Sequence, residues 1–277
     1  MASQYFDETV AARYQQFQFE FGAETLRGRR IVLAGGSGGL GAATAALLVK
    51  EGASLVVGYA RDEQRARRMQ EALAAYGDGQ ISLCRADLRE AGSRTALLAA
   101  DASRGPLYGL VVLAGDPARG DSEETLRESA EINYLAPLLL ARQAADQMRA
   151  AETAGSIVLF SSMQASYTFE GSTAYASAKA ALVHGAKVLA KEVGGAANIR
   201  VNVVAPGATL AGMAQTSLRS GKYDPFVASG VIPRFGRAED VARAVRFLLE
   251  PDNYITGQVI TVDGGMTLRR DMRPGSP

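Results

Sequence analysis

Arg30-Ile-Val-Leu-Ala34, running into Gly35-Gly-Ser-Gly-Gly-Leu-Gly41 and then an alanine-rich stretch, decides how this chain folds. A short unbroken apolar run suits a strand buried on both faces, and the alanines that follow suit a helix. The glycines at 35, 39 and 41 allow a tight turn, close approach of a diphosphate and close packing of helix on strand. The helix N-terminus adds free N–H groups and a positive dipole end. A plain strand-to-helix loop is the alternative reading of such a turn, so its surroundings must decide.

Working outward, apolar runs recur at 31–34, 54–59, 80–84, 109–114, 156–160, 199–204 and 258–262, with helical patterns between most of them. This alternation predicts one α/β domain: a doubly wound Rossmann parallel sheet with helices on both faces. In such a sheet a ligand lies beyond the strand C-termini where the strand order reverses, so Ala34 to Gly41 should hold a diphosphate. The expected domain spans 30–270, with a flexible tail at 271–277. Residues 1–29 form an N-terminal extension carrying six of the nineteen aromatics. Phe6, Val10, Tyr14, Phe17 and Phe21 fall on one face of a helical arm, which packs either on its own domain or across a neighbouring subunit.

The chain has 277 residues, 47% hydrophobic and 21% charged, enough for a sizeable core. A formal charge of +1 implies no broad attraction to nucleic acid or to an anionic membrane. Arginines outnumber lysines 25 to 5 but are scattered, which codon bias can explain. Cys84 is the single cysteine and cannot form an internal disulfide, which fits a reducing cytoplasm. Neither a signal peptide nor an apolar run of about 18 residues is evident, so secretion and membrane spanning are disfavoured. One histidine, His184, and one cysteine are too few for a zinc site, and His184 reads as a packing or interface residue.

Tyr175-Ala-Ser-Ala-Lys179 carries the chemistry, with Ser162 thirteen residues upstream. Residues four apart share a helix face, so a phenol and an ammonium point into one cleft. Together with the glycine loop, this pair resembles the short-chain dehydrogenase/reductase family, whose motifs are T-G-x-x-x-G-[IL]-G and Y-x-x-x-K. The resemblance runs from about Arg30 to Leu268. It takes in Asp87 after the third strand, Asn133 in the fourth helix, Ser162 after the fifth strand, Pro206-Gly207, and Tyr254-Ile-Thr-Gly-Gln-Val-Ile-Thr-Val-Asp-Gly-Gly265.

The resemblance implies a catalytic tetrad of Asn133, Ser162, Tyr175 and Lys179. Tyr175 would give or take the proton, Lys179 would lower its pKa and bind the nicotinamide ribose, Ser162 would donate to the substrate oxygen, and Asn133 would hold a water leading to Lys179. Packing, capping and strand-end roles are the structural alternatives for these side chains. Cofactor contacts are implied at Gly35, Ser37, Gly39, Leu40, Gly41, Arg61, Asp87, Leu88, Ala114, Gly115, Pro206, Gly207 and Thr209, together with Tyr175 and Lys179. NADP(H) is expected over NAD(H), because Tyr59 stands where NAD-using relatives carry Asp, and Arg61 follows. A solvated Arg61 is the alternative, since Gly38 lacks the basic residue many NADP-using relatives place in the loop. Asp87 binds an adenine edge or, like Ser93, caps the next helix.

Two departures stand out. Val112-Leu-Ala-Gly115 replaces the family's N-N-A-G, so its stabilising hydrogen bonds must come from elsewhere. Ala211 replaces a usual threonine, for which Thr209 is the candidate substitute. Met163, Tyr167, Phe169, Met213, Tyr223 and Phe226 suit a moderately apolar cleft for a small-molecule or acyl-thioester carbonyl. The tail pattern is most similar to 3-oxoacyl-carrier-protein reductases. The expected activity is reduction of a carbonyl to an alcohol. The alternatives are an alcohol or polyol dehydrogenase using NAD(P)+, and a cofactor-binding member with little turnover. A homo-oligomer, tetramer or dimer, is implied, and neither a membrane nor a nucleic-acid partner.

Overall fold

The seven apolar runs become seven strands: β1 (Arg30–Ala34), β2 (Ser54–Tyr59), β3 (Ile81–Arg85), β4 (Leu107–Val112), β5 (Gly155–Phe160), β6 (Ile199–Pro206) and β7 (Val259–Val262). They form one sheet in the order β3-β2-β1-β4-β5-β6-β7, every neighbouring pair parallel. The chain moves outward from β1 to β3, then crosses back to β4, so the order reverses between β1 and β4. A parallel neighbour needs a crossover, and helices supply these: α1 (Gly39–Lys50), α2 (Glu63–Leu73), α3 (Ala91–Ala99), α4 (Glu123–Ala130), α5 (Ala136–Ala150), α6 (Thr173–Val193) and α9 (Ala238–Leu249). Two short helices, α7 (Gln215–Arg219) and α8 (Asp224–Ala228), lie in the long connection after β6. This computed structural model describes residues 25–76, 80–120 and 122–268; the proposed arm from Phe6 to Phe21 and the tail at 271–277 lie outside the described residues.

Strand side chains alternate between two cores, as a two-residue repeat requires. Along β1, Ile31 and Leu33 enter the core under α1 and α9 with Leu48, Val245 and Leu248. Val32 and Ala34 enter the other, under α3, α5 and α6, with Leu97, Leu140 and Leu182. Burying each such leucine contributes about 1.5–3 kcal/mol, which explains why the strands read as continuous apolar runs.

The fourth strand starts and stops two residues earlier than its apolar run, because that run continues beyond the ladder. Leu113 and Ala114 instead both donate backbone N–H groups to Ala34 O, at 2.9 and 3.2 Å, closing the end of β4 against β1.

Three of the arginines have structural partners that composition does not reveal. Arg30, buried in β1, donates to Leu98 O and Ala100 O at 3.0 Å, at the end of α3, and to Gly105 O at 2.8 Å. Arg200, buried in β6, donates to Leu248 O at 3.2 Å and Glu250 O at 2.8 Å, where Tyr108 OH also reaches Leu249 O at 2.6 Å. Arg94 donates to Leu88 O at 2.7 Å and Arg89 O at 3.0 Å. The first two place a cation against helix-terminal carbonyls that lack intrahelical partners.

Thr25 to Arg29, within the expected extension, dock on the turn before β2. Leu26 is fully buried, its N–H donating to Glu51 O at 3.2 Å, and Gly28 N donates to Gly52 O at 3.2 Å. Among the described residues, no helix is long and apolar enough to cross a membrane and no cluster of metal-ligating side chains occurs. His184 is exposed on α6.

Candidate active site

The glycine loop joins β1 to α1 at the reversal of strand order. Gly35 takes a φ of +75°, and a Cβ there would lie 2.7 Å from Ala114 N, so the β4 end leaves no space for a side chain. Gly35 N and Gly36 N both donate to Gly58 O at 3.1 Å, which fixes the turn on β2. At Gly41 a Cβ would meet Gly36 O at 2.2 Å. Gly41 therefore packs on its own loop, a correction to the expectation that it packs helix on strand. The resulting backbone cradle at the α1 N-terminus suits the diphosphate of a dinucleotide.

Ser162, Tyr175, Lys179 and Asn133 converge beside this loop. Ser162 follows β5 and starts a short 3-10 turn, its Oγ accepting from Gln164 N at 3.2 Å. Its hydroxyl also stands near enough to the phenol of Tyr175 to lower that group's pKa. Tyr175 and Lys179 lie one turn apart on α6, with Lys179 Nζ 5.8 Å from the phenol ring centre. Nζ donates to Phe160 O at 2.8 Å, and Ser161 Oγ donates back to Lys179 O at 3.0 Å.

Asn133 is fully buried in a single π turn, Glu131–Leu135, between α4 and α5. Its Oδ1 accepts from Asp116 N at 3.0 Å, and its Nδ2 donates to Asp116 O at 2.9 Å and to Ser129 Oγ at 3.1 Å. Ser129 Oγ in turn donates to Ala174 O at 2.8 Å, next to Tyr175. Asn133 thus anchors the segment after β4 and links it to the start of α6. The backbone N–H groups of Leu113 and Ala114 hold the same segment to Ala34 O from the other side. A Cβ on Gly115 would sit 2.9 Å from Asn133 Oδ1 and 3.3 Å from Lys179 Nζ, so Gly115 closes the cluster.

Burial pushes the Tyr175 phenol up to about 12, against the lowering effect of its Ser162 hydrogen bond, with Tyr223 adding a smaller upward push. Burial also pulls the Lys179 ammonium down to about 7. The sequence leads one to expect Lys179 to lower the tyrosine. The correction has a physical reason: both groups are desolvated, and Lys179 directs its charge to the Phe160 carbonyl.

The outer residues divide. Leu88 is buried, and Arg61 is exposed in the turn after β2. The Asp87 carboxylate is held below the usual range, first by hydrogen bonds from the Arg89 side chain, with Arg61 contributing at longer range. Arg89 Nε and N reach Asp87 Oδ1 at 3.0 and 3.1 Å. Neither Asp87 nor Ser93 caps α3: its N-cap position is Glu90, which makes no side-chain cap bond. Asp87 lies three residues too early, and Ser93 is already inside the helix.

Past Pro206, Gly207 N donates to Val262 O at 2.9 Å. Thr209 is buried and gives its hydroxyl hydrogen to Gly207 O at 3.1 Å. Ala211 to Met213 pass directly over the loop. A Cβ on Gly39 would lie 3.1 Å from Gly212 N and 3.3 Å from the Ala211 Cβ, and one on Gly115 would lie 3.8 Å from Met213 Cε. Beyond them Tyr167, Phe169, Tyr223 and Phe226 form a chain of ring contacts at 5.0, 6.1 and 6.3 Å, with Met163 buried against the same cluster. Sequence alone does not mark Arg65, whose Nη2 lies 3.4 Å from Ser37 Oγ; its only signal is a spacing of four from Arg61.

The model of the family described as enoyl-(acyl carrier protein) reductase matches residues 34–267. An uncharacterized oxidoreductase of Methylorubrum extorquens is 34% identical over 253 residues, covering 87% of this chain and 98% of its own length. A 3-oxoacyl-(acyl-carrier-protein) reductase of Chlamydia pneumoniae is 30% identical over 249 residues, covering 88% and 98%. Among solved structures, a 7 alpha-hydroxysteroid dehydrogenase complexed with NADH and 7-oxo glycochenodeoxycholic acid superposes with a TM-score of 0.83 at 28% identity, covering 90% of this chain and 98% of that one.

Proposed function

The chain belongs to the short-chain dehydrogenase/reductase family of oxidoreductases, and from that premise we propose that it reduces a carbonyl to an alcohol with NADP(H), using Tyr175 as general acid. The observation that carries this reading is the placement of Ser162, Tyr175 and Lys179 together, the Ser162 hydroxyl near enough to the phenol to lower its pKa and Lys179 one turn away. Two hydroxyls so placed can both point at one substrate oxygen. Ser162 donates to that oxygen as negative charge develops, and Tyr175 delivers the proton. Burial keeps the phenol protonated at neutral pH, the form that reduction requires.

Lys179 holds the next proton. Its ammonium lies beside the buried Asn133, and Asn133 anchors the loop through Asp116. Gly35, Gly39 and Gly41 would cradle the diphosphate of the dinucleotide, and Lys179 would bind its nicotinamide ribose. The bound nicotinamide supplies the hydride. NADP(H) is favoured because Tyr59 is buried at the strand end where an acid would accept from a ribose hydroxyl, and Arg61 follows two residues later.

The aromatic chain from Tyr167 to Phe226 suits an apolar substrate body, and a 3-oxoacyl thioester is the class we assign. The same reading makes the protein a homo-oligomer, since Leu135 at the end of the π turn, Leu139 on α5 and Val188 on α6 are exposed; sedimentation of the purified chain tests that. For the activity, NADPH oxidation is followed with 3-oxoacyl thioesters and a panel of small ketones. Turnover that disappears in Tyr175→Phe, with NADPH binding retained, supports the reading. Full turnover in that variant refutes the mechanism.

A further inference from the structure

Helix α2 turns two arginines toward the glycine loop. Arg65 Nη2 is 3.4 Å from the hydroxyl of Ser37, itself only 6% exposed. A cleft of about 500 Å³ opens beside them, lined also by Gly38, Arg68 and Tyr76, with no acidic residue among the described residues of its wall. Asp62 is the carboxylate paired with Arg65, but it reaches Nε only at 3.9 Å, its Oδ1 accepting from Arg65 N at 2.8 Å as the cap of α2. The guanidinium therefore keeps donors to spare, and its side chain is 55% exposed.

Position 38 is where the family's extra basic residue would stand, and nothing lies within 4 Å of a Cβ placed on Gly38. Space is left there instead of charge, and Arg65 reaches toward the same loop from α2. Arg61 is exposed in the turn after β2, and its charge also acts on Asp87, after β3.

We propose that Arg65, supported by Arg68, binds the ribose 2′-phosphate in the cleft beside Ser37, so that the residue selecting NADP(H) sits on α2 rather than in the loop or at the end of β2. A phosphate presents oxygens that a guanidinium fork and a serine hydroxyl can hold together, whereas the 2′-hydroxyl of NAD(H) has no charge to attract them. This inference rests on the NADP(H) reading given above.

The test is equilibrium binding followed by fluorescence, independent of turnover. NADPH, NADH, adenosine 2′,5′-bisphosphate and 5′-AMP are titrated into wild type, Arg65→Ala, Arg65→Lys and Arg61→Ala, with circular dichroism confirming the fold. The expected result is that Arg65→Ala weakens NADPH and the bisphosphate by about tenfold or more, one charge-assisted hydrogen bond's worth, and leaves NADH and 5′-AMP within about twofold. Arg65→Lys recovers part of the loss. A wild type that prefers NADPH, with Arg65→Ala binding it unchanged, overturns the role of Arg65 while the cofactor reading stands. A wild type that binds NADH as tightly as NADPH removes the cofactor reading, and this inference with it.

Discussion

Lys179 gives its ammonium to the carbonyl of Phe160, 2.8 Å away at the end of β5, and it does so fully inside the protein. Burial brings its pKa down to about 7, so the proton is present below that pH and absent above it. Tyr175, pushed up to about 12, stays protonated throughout this range. If Lys179 replaces the proton that Tyr175 delivers, the rate of carbonyl reduction is highest on the acid side and falls as pH rises through about 7. A pH profile of kcat checks this. Lys179→Arg, whose charge does not titrate, moves the fall to higher pH, and a profile flat from about pH 6 to about pH 9 contradicts the role given to Lys179.

The influence of the Ser162 hydroxyl on the Tyr175 phenol predicts that the two act as one unit. Tyr175→Phe lowers kcat by roughly 10²–10⁴-fold, the usual worth of a general acid. Ser162→Ala lowers it by about 10²–10³-fold, as for loss of one oxyanion donor. The double variant is little worse than Tyr175→Phe alone, because each hydroxyl works only with the other in place. Steady-state kinetics of the three variants decides it; fully multiplicative losses mean independent roles.

Arg200 carries a prediction about stability alone. Its guanidinium serves Leu248 O and Glu250 O at the end of α9, remote in sequence from the tetrad. Arg200→Met keeps much of the side-chain volume but leaves those carbonyls without their cation. The expected loss is about 3 kcal/mol, in the range for breaking a buried charged contact. Urea denaturation measures it, and NADPH affinity of the folded variant stays at the wild-type value.

The sheet was legible because the inner strands β1, β2, β4 and β5 are buried along nearly their whole length, so few polar positions interrupt their runs. Those same runs overreach at Leu113 and Ala114, which are apolar yet bond to Ala34 O outside the ladder. Ser162, Tyr175 and Lys179 were legible because helix spacing brings the last two together and strand order delivers the first. The partners of Asn133 were not, since Asp116 is held through its backbone, which any residue type provides. The direction of the Tyr175 shift was also hidden, because it depends on how much water surrounds the phenol and not on which charged residue stands four positions away.

Gly115 tests whether the cluster is as close as it stands. Its backbone passes so near Asn133 and Lys179 that a methyl group would lie 2.9 Å from Asn133 Oδ1 and 3.3 Å from Lys179 Nζ. Neither group can retreat easily. Asn133 is fixed by three hydrogen bonds, and Lys179 is held by Phe160 O. Gly115→Ala therefore displaces the segment after β4 rather than the side chains, at a cost of about 1–3 kcal/mol as for overpacking a filled core. Because that segment also borders Lys179, kcat falls with stability. Asn133→Ala removes the obstacle, so Gly115→Ala costs less in that background than in the wild type. A double-mutant cycle on unfolding free energy measures the coupling, and simple additivity of the two losses would show that residues 115 and 133 do not constrain one another.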